Sequence, residues 1–129
     1  MLEVGSRRPL GVGAGGLAIL SAIDEEERLE IIERVAPSLP AFGKLTAYDL
    51  AEACTQARAE GAAVIQNRVS LGVRAVGVAF RDSMGHAVGA LSVAALTQRL
   101  NQRRTQQISE MLRRATKDVE VLMRKRSRP

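Results

Sequence analysis

Apolar and polar positions divide the chain into three helical stretches, an extended stretch and a final helical one. Leu17-Ala18-Ile19-Leu20-Ser21-Ala22-Ile23 is a nearly continuous apolar run behind Gly11-Val12-Gly13-Ala14-Gly15-Gly16, and predicts a glycine turn feeding a short buried helix. Asp24-Glu25-Glu26-Glu27 offers an N-cap and first-turn negative charge, and Leu29, Ile31, Ile32 and Val35 follow before Pro37, so a second helix is expected over 24–36. Residues 37–45, with Pro37, Pro40 and Gly43, read as a surface loop. Thr46 with Asp49 three positions on has capping-box spacing, Leu50, Ala53, Cys54 and Ala57 follow at helical intervals, and Gly61 supplies a stop. A third helix is therefore expected over 46–60.

Past Gly61 the period shortens to two. Ala62–Asn67 predicts a short strand, Val73–Arg81 a longer one, Asp82-Ser83-Met84-Gly85 a turn, and Ala87–Ala95 the returning strand of a β-hairpin. One face of each hairpin strand is built largely from small side chains: Val73, Ala75, Gly77 and Ala79 on one, Val88, Ala90, Ser92 and Ala94 on the other. Such a face either receives a closely packed helix or leaves a hollow, and the alternation is compatible with both. Asn101 is placed to cap a long closing helix, with Ile108, Met111, Leu112, Ala115, Val119, Leu122 and Met123 at spacings of three and four. The order of elements predicts an α+β fold on a thin, three-stranded antiparallel sheet, without internal repeats.

Composition narrows the class. The 129 residues suit one domain with one modest core. No apolar stretch reaches the roughly 18 residues of a membrane span, and Met1-Leu2-Glu3-Val4-Gly5-Ser6 lacks the layout of a secretion signal, so the chain reads as cytoplasmic. One cysteine and one histidine exclude an internal disulfide and a zinc module. The net charge of +5 is unevenly spread: residues 1–98 sum to −2 and residues 99–129 to +7, so the basicity belongs to the closing helix and a basic tail at 124–129. With one Tyr, two Phe and no Trp there is little for bases to stack on, and a basic nucleic-acid binder remains a minor alternative resting on residues 99–129.

Catalytic and cofactor motifs are weak. Gly11-x-Gly13-x-x-Gly16 matches a dinucleotide-binding string, but Ser6-Arg7-Arg8-Pro9-Leu10 is no buried strand and no βαβ unit follows. Leu17-Ala18 stand where a P-loop needs Lys-Ser/Thr. What remains is a helix N-terminus whose amides could seat a carboxylate, or a tight packing turn. His86 and Ser92 lie six residues apart in or beside one strand, about 20 Å, too far to act together. Cys54 falls on the apolar stripe of its helix and reads as an inert core thiol. No enzyme, metal or cofactor chemistry is expected.

The ordered set Arg7-Arg8-Pro9-Leu10-Gly11-Val12-Gly13-Ala14-Gly15-Gly16-Leu17-Ala18, Asp24-Glu25-Glu26, Gly72-Val73-Arg74-Ala75-Val76-Gly77-Val78, Asp82-x-x-Gly85, Ala90-Leu91-Ser92-Val93-Ala94 and Arg99-Leu100 resembles the effector-binding domain of IclR-type bacterial transcriptional regulators. Members of that family join a winged helix-turn-helix to a GAF-like sensor that binds a small organic acid or aromatic compound and mediates self-association. Residues 1–10 read as an extended lead-in, because Arg7-Arg8-Pro9 blocks a helix, and the resemblance implies the C-terminal two-thirds of such a sensor over 11–123, with DNA contact only through a helix-turn-helix that nothing here resembles. Polar positions that hold keto acids in the family correspond here to Ile65, Ala75 and Ala94, and Ser92 alone stays polar. The implied pocket is apolar, with Gly13, Ala14, Gly15, Asn67, Ala75 and Ser92 as lining residues. The alternative is an oligomerisation or regulatory fragment that binds no metabolite and recruits a partner through an exposed sheet edge.

Overall fold

In the computed structural model, which describes residues 8–67 and 71–126, helices and strands follow the order α1 (Ala14–Ala22), α2 (Glu25–Val35), a 3-10 segment (Ala36–Ala41), α3 (Ala47–Glu60), β1 (Ala63–Gln66), β2 (Val73–Arg81), β3 (Ala87–Leu96) and α4 (Gln102–Arg126). Most of the expected lead-in and the end of the basic tail lie outside the described residues; Arg124, Lys125 and Arg126 form the last turn of α4. The sheet is antiparallel in the order β1-β2-β3, its β2 and β3 forming the expected hairpin, with Ala63 opposite Gly77, Ile65 opposite Ala75, and Gly77 opposite Ser92.

The small-residue face receives a helix. A Cβ on Gly77 would stand 2.5 Å from the carbonyl oxygen of Ala14, so α1 lies with its backbone almost on the sheet. One core forms under α1 from Val12, Leu17, Leu20, Ile32, Leu39, Leu45, Leu50, Cys54 and Ile65. A second forms on the other face, where α4 covers Val76, Val78, Leu91 and Val93.

Local chemistry explains the boundaries. The capping box of α3 is complete: Asp49 N donates to Thr46 Oγ1 at 3.1 Å, and Thr46 N donates to Asp49 Oδ2 at 3.0 Å. Gly61 ends α3 in the left-handed conformation at φ 74°. Replacing Thr46 by alanine should cost about 1 kcal/mol by urea denaturation, since it strands one helix-end donor. Asn101 caps α4 as expected, its Oδ1 accepting from Arg104 N at 2.8 Å.

Four expectations need correction. First, α1 starts at Ala14, so Gly15 and Gly16 belong to the helix and only Gly11 to Gly13 form the turn. Second, Asp24 makes no side-chain cap, and α2 buries Arg28 while Leu29 is exposed. The Arg28 guanidinium reaches back to the carbonyl of Ile23 at 2.9 Å, which satisfies a charge that periodicity would have left in water. Third, 37–45 is no surface loop throughout, because α2 runs on into the 3-10 segment and buries Leu39 completely. Fourth, α4 buries Thr105, Ser109, Leu112 and Thr116, while Met111 and Leu122 from its apolar stripe stay exposed. Each buried hydroxyl turns back on the helix: Thr105 donates to Asn101 O at 2.7 Å, Ser109 to Thr105 O at 2.8 Å, and Thr116 to Arg113 O at 2.9 Å.

Candidate functional site

The helix α1 runs along β2, with Ala14 above Gly77 at one end and Ala22 accepting from Arg81 Nη2 at 3.0 Å at the other. Its N-terminus therefore points along the sheet toward the pair Ala75 and Ala94. Gly13 occupies the cap position in extended conformation, with no side-chain cap and no acidic residue in the first turn. A Cβ built on Gly13 meets nothing within 4 Å. The first-turn amides of Ala14, Gly15 and Gly16 precede the first helical bond, which Leu17 N makes to Gly13 O at 2.8 Å. Among the described residues no side chain caps this end, and the positive end of the helix dipole lies beside Gly13.

Of the six expected lining residues, five gather around this point. Gly13, Ala14 and Gly15 form the end of the helix; a Cβ on Gly15 would lie 3.8 Å from Ser92 Oγ. Ala75, half-buried, and Ser92, exposed, lie on the sheet floor. Asn67 stands apart. It ends β1 with φ 60°, its Oδ1 accepts from Gly72 N at 2.6 Å, and its own N–H donates to Val73 O at 3.0 Å. It borders a separate cavity of about 450 Å³ with Phe42, Leu45 and Glu52.

Ala94 and Leu96 are exposed on the same face, beyond the end of α1; Ala94 is among the positions that the family resemblance named, while Leu96 lies one residue past the expected end of the strand. Alternation alone placed them beside Ser92; what it lacked was the length of the covering helix. The largest cavity described, about 1040 Å³, lies elsewhere, open between α3, β1 and α4, and its polar lining of Gln56, Gln66, Arg74, Glu110 and Arg113 includes none of the six. Arg74 organises one end of it, with Nη1 donating to Leu100 O at 2.8 Å and Nη2 to Gln66 Oε1 at 2.7 Å.

Among the described residues, Cys54 and His86 stand apart from one another. Cys54 is buried, and burial pushes its thiol up, against the opposing charges of Arg28 and Arg58, which makes it a poor nucleophile. The exposed His86 lies 3.8 Å from Asp82, whose carboxylate is held below its usual range, chiefly by the His86 amide and also by that of Met84. Asp82 is thereby a turn former, receiving Met84 N and His86 N at 2.9 Å each. Among the described residues no group of three or more His, Cys, Asp or Glu could hold a metal, and no helix is long and apolar enough to cross a membrane.

Comparison with known proteins gives the same frame. The family described as "Bacterial transcriptional regulator IclR C-terminal" matches residues 1–121. The HTH-type transcriptional repressor AllR of Salmonella paratyphi A is 31% identical over 123 residues, covering 93% of this chain and 44% of AllR. The chain thus spans less than half the length of that relative. The crystal structure of the C-terminal domain of the E. coli regulator KdgR superposes with a TM-score of 0.81 at 27% identity, covering 92% of this chain and 73% of that one. The inducer-binding domain of the transcription factor PobR from Acinetobacter, a double mutant in complex with 3-hydroxybenzoic acid, superposes with a TM-score of 0.72 at 23% identity, covering 92% and 69%. With the α+β fold, the three-stranded antiparallel sheet and the family match in agreement, the chain belongs to the IclR family of bacterial transcriptional regulators and corresponds to their C-terminal domain.

Proposed function

We propose that this chain is a non-enzymatic sensor for a small organic acid, aromatic or aliphatic, whose carboxylate sits on the amides of Ala14 to Gly16 while its apolar body lies on the floor of Ala75, Ala94 and Leu96, beside Ser92. The observation that carries this reading is the N-terminus of α1, without a side-chain cap among the described residues, beside the exposed Ser92, Ala94 and Leu96 of the sheet. A hydroxybenzoate in the related PobR domain supports the ligand class. Asn67 stands outside this site, its Oδ1 accepting from Gly72 N. In a complete regulator, occupancy would bias self-association and, through it, a helix-turn-helix on DNA.

Benzoates and short aliphatic carboxylates at millimolar concentration should raise the melting temperature of the chain, as a ligand that binds only the folded state must. Gly13→Asp supplies the missing cap from its own carboxylate. It should stabilise the chain by about 0.5 kcal/mol and abolish the ligand-induced shift, because the side chain takes the place of the ligand's anion. A folded wild-type chain with no shift for any carboxylate, or a Gly13→Asp chain that still responds in full, overturns the site.

A further inference from the structure

We infer that the C-terminal end of α1 carries a second ligand site, separate from the amides at its N-terminus, which takes the phosphate group of a small phosphomonoester or free phosphate. Three arginines from three different elements gather there. Arg81 of β2 donates Nη2 to Ala22 O at 3.0 Å, and Arg28 of α2 donates Nη1 to the next carbonyl, Ile23 O, at 2.9 Å. Arg58 of α3 lines, together with Arg81, a cavity of about 290 Å³ whose walls include Ala18, Ala22, Ala57 and Ala63. Arg28 and Arg58 also lie near one thiol, because the charges of both oppose the rise that burial imposes on Cys54.

Charge at this point is strongly positive. Arg28 is only 8% exposed, and of the five N–H donors of its guanidinium one is taken up, by Ile23 O. Arg58 enters no hydrogen bond or ion pair among the described residues. Glu120 Oε2 accepts from the backbone N of Arg81 at 2.7 Å, yet among the described residues no carboxylate lines the cavity or pairs with any of the three guanidinia. The carbonyl end of α1 offsets about half an elementary charge, against three from the arginines. Anchoring α1 accounts for Arg28 and Arg81, which hold its last carbonyls. It does not account for Arg58, which bonds to nothing among the described residues and still lines the cavity.

A phosphate group fits what remains. It brings a charge of about −1.5 to −2 at neutral pH, and its oxygens match the forked donors of guanidinium in charge-assisted hydrogen bonds. A buried cation such as Arg28 gains most from such a partner, since burial without a counter-charge is costly. The cavity stands at the lower end of the range for ligand sites, roughly 300 Å³, and its alanine walls leave room for a short organic body beside the phosphate.

Isothermal titration calorimetry of the 129-residue chain with inorganic phosphate and with ethyl phosphate, at low ionic strength with chloride as the control anion, tests the site. Saturable one-site binding is expected, and the tighter of the two probes identifies the source of the phosphate group, ester or free ion. Arg58→Gln removes a guanidinium that holds nothing in the fold, and should weaken binding at least about tenfold, with Arg58→Lys recovering part of the loss. Arg114→Gln, on the exposed surface of α4, removes the same charge and should change the affinity less than about twofold. Gly13→Asp, at the other end of α1, should also stay within about twofold, so this inference stands or falls apart from the carboxylate site. No saturation with either probe overturns it, as do equal losses for Arg58→Gln and Arg114→Gln, or a tenfold loss for Gly13→Asp.

Discussion

Gly77→Ala should destabilise the domain by about 3 kcal/mol, enough to remove a large part of the stability expected of so small a fold. The added methyl would stand 2.5 Å from Ala14 O, 2.6 Å from Ala14 C and 2.9 Å from Gly15 N. All three are backbone atoms of a helix whose side chains Leu17 and Leu20 are 1% and 0% exposed, so the helix cannot retreat without opening the core behind it. Gly13→Ala is the internal control. Its Cβ enters open space at an ordinary backbone angle, φ −86°, and should cost under about 1 kcal/mol. Urea denaturation of both variants measures the difference. Equal effects at the two positions would show that α1 does not lie as close to the sheet as described. Because the same contact sets the height of the start of α1 over Ser92, a Gly77→Ala chain that still folds should also lose its response to carboxylates.

Leu39→Ala should cost about 3 kcal/mol. Leu39 is fully buried within the 3-10 segment and belongs to the same core as Leu45 and Leu50, so truncation leaves a cavity instead of an exposed stump. Its neighbour Pro40 lies in the same segment yet is exposed, and Pro40→Ala should shift stability by less than about 1 kcal/mol. A Leu39→Ala variant as stable as wild type would return residues 37–45 to the status of a surface loop. Chemical denaturation followed by far-UV circular dichroism is sufficient, since loss of this contact should lower the whole transition.

Features governed by near neighbours were legible in the sequence. Thr46 and Asp49 close their own capping box, Gly61 stops α3, Asn101 starts α4, and the alternation of Val73–Arg81 and Ala87–Ala95 appears as β2 and β3 with nearly the expected ends. These depend on hydrogen bonds spanning a few residues and on a period of two, both written directly in residue order. The misreadings share a different cause. Arg28 goes under cover because the Ile23 carbonyl is there to receive it, and Leu39 is buried because it joins the core that also holds Leu45 and Leu50. α4 buries Thr105, Ser109 and Thr116 because those small side chains let it settle on the sheet, and their hydroxyls are satisfied by its own carbonyls. A hydropathy pattern ranks side chains by their cost in water, and it is blind to the carbonyl that receives a polar group or the core that receives an apolar one.

The candidate site shows the same division. The glycine string, the small residues of β2 and β3 and the lone polar Ser92 were all visible in residue order, together with the family that their sequence resembles. Whether the small-residue face would hold a helix or a hollow was open, because a stripe of Ala and Gly lowers the steric cost of both. Assembly resolves it by letting α1 cover the stripe from Gly77 to Arg81, leaving Ala94 and Leu96 exposed beyond its N-terminus. Residue order therefore dictated the elements, their sense and the α+β class. Where each element ends against its neighbour, and so where open space and unpaired edges remain, follows from long-range packing, which depends on side-chain volume and backbone approach instead of local period.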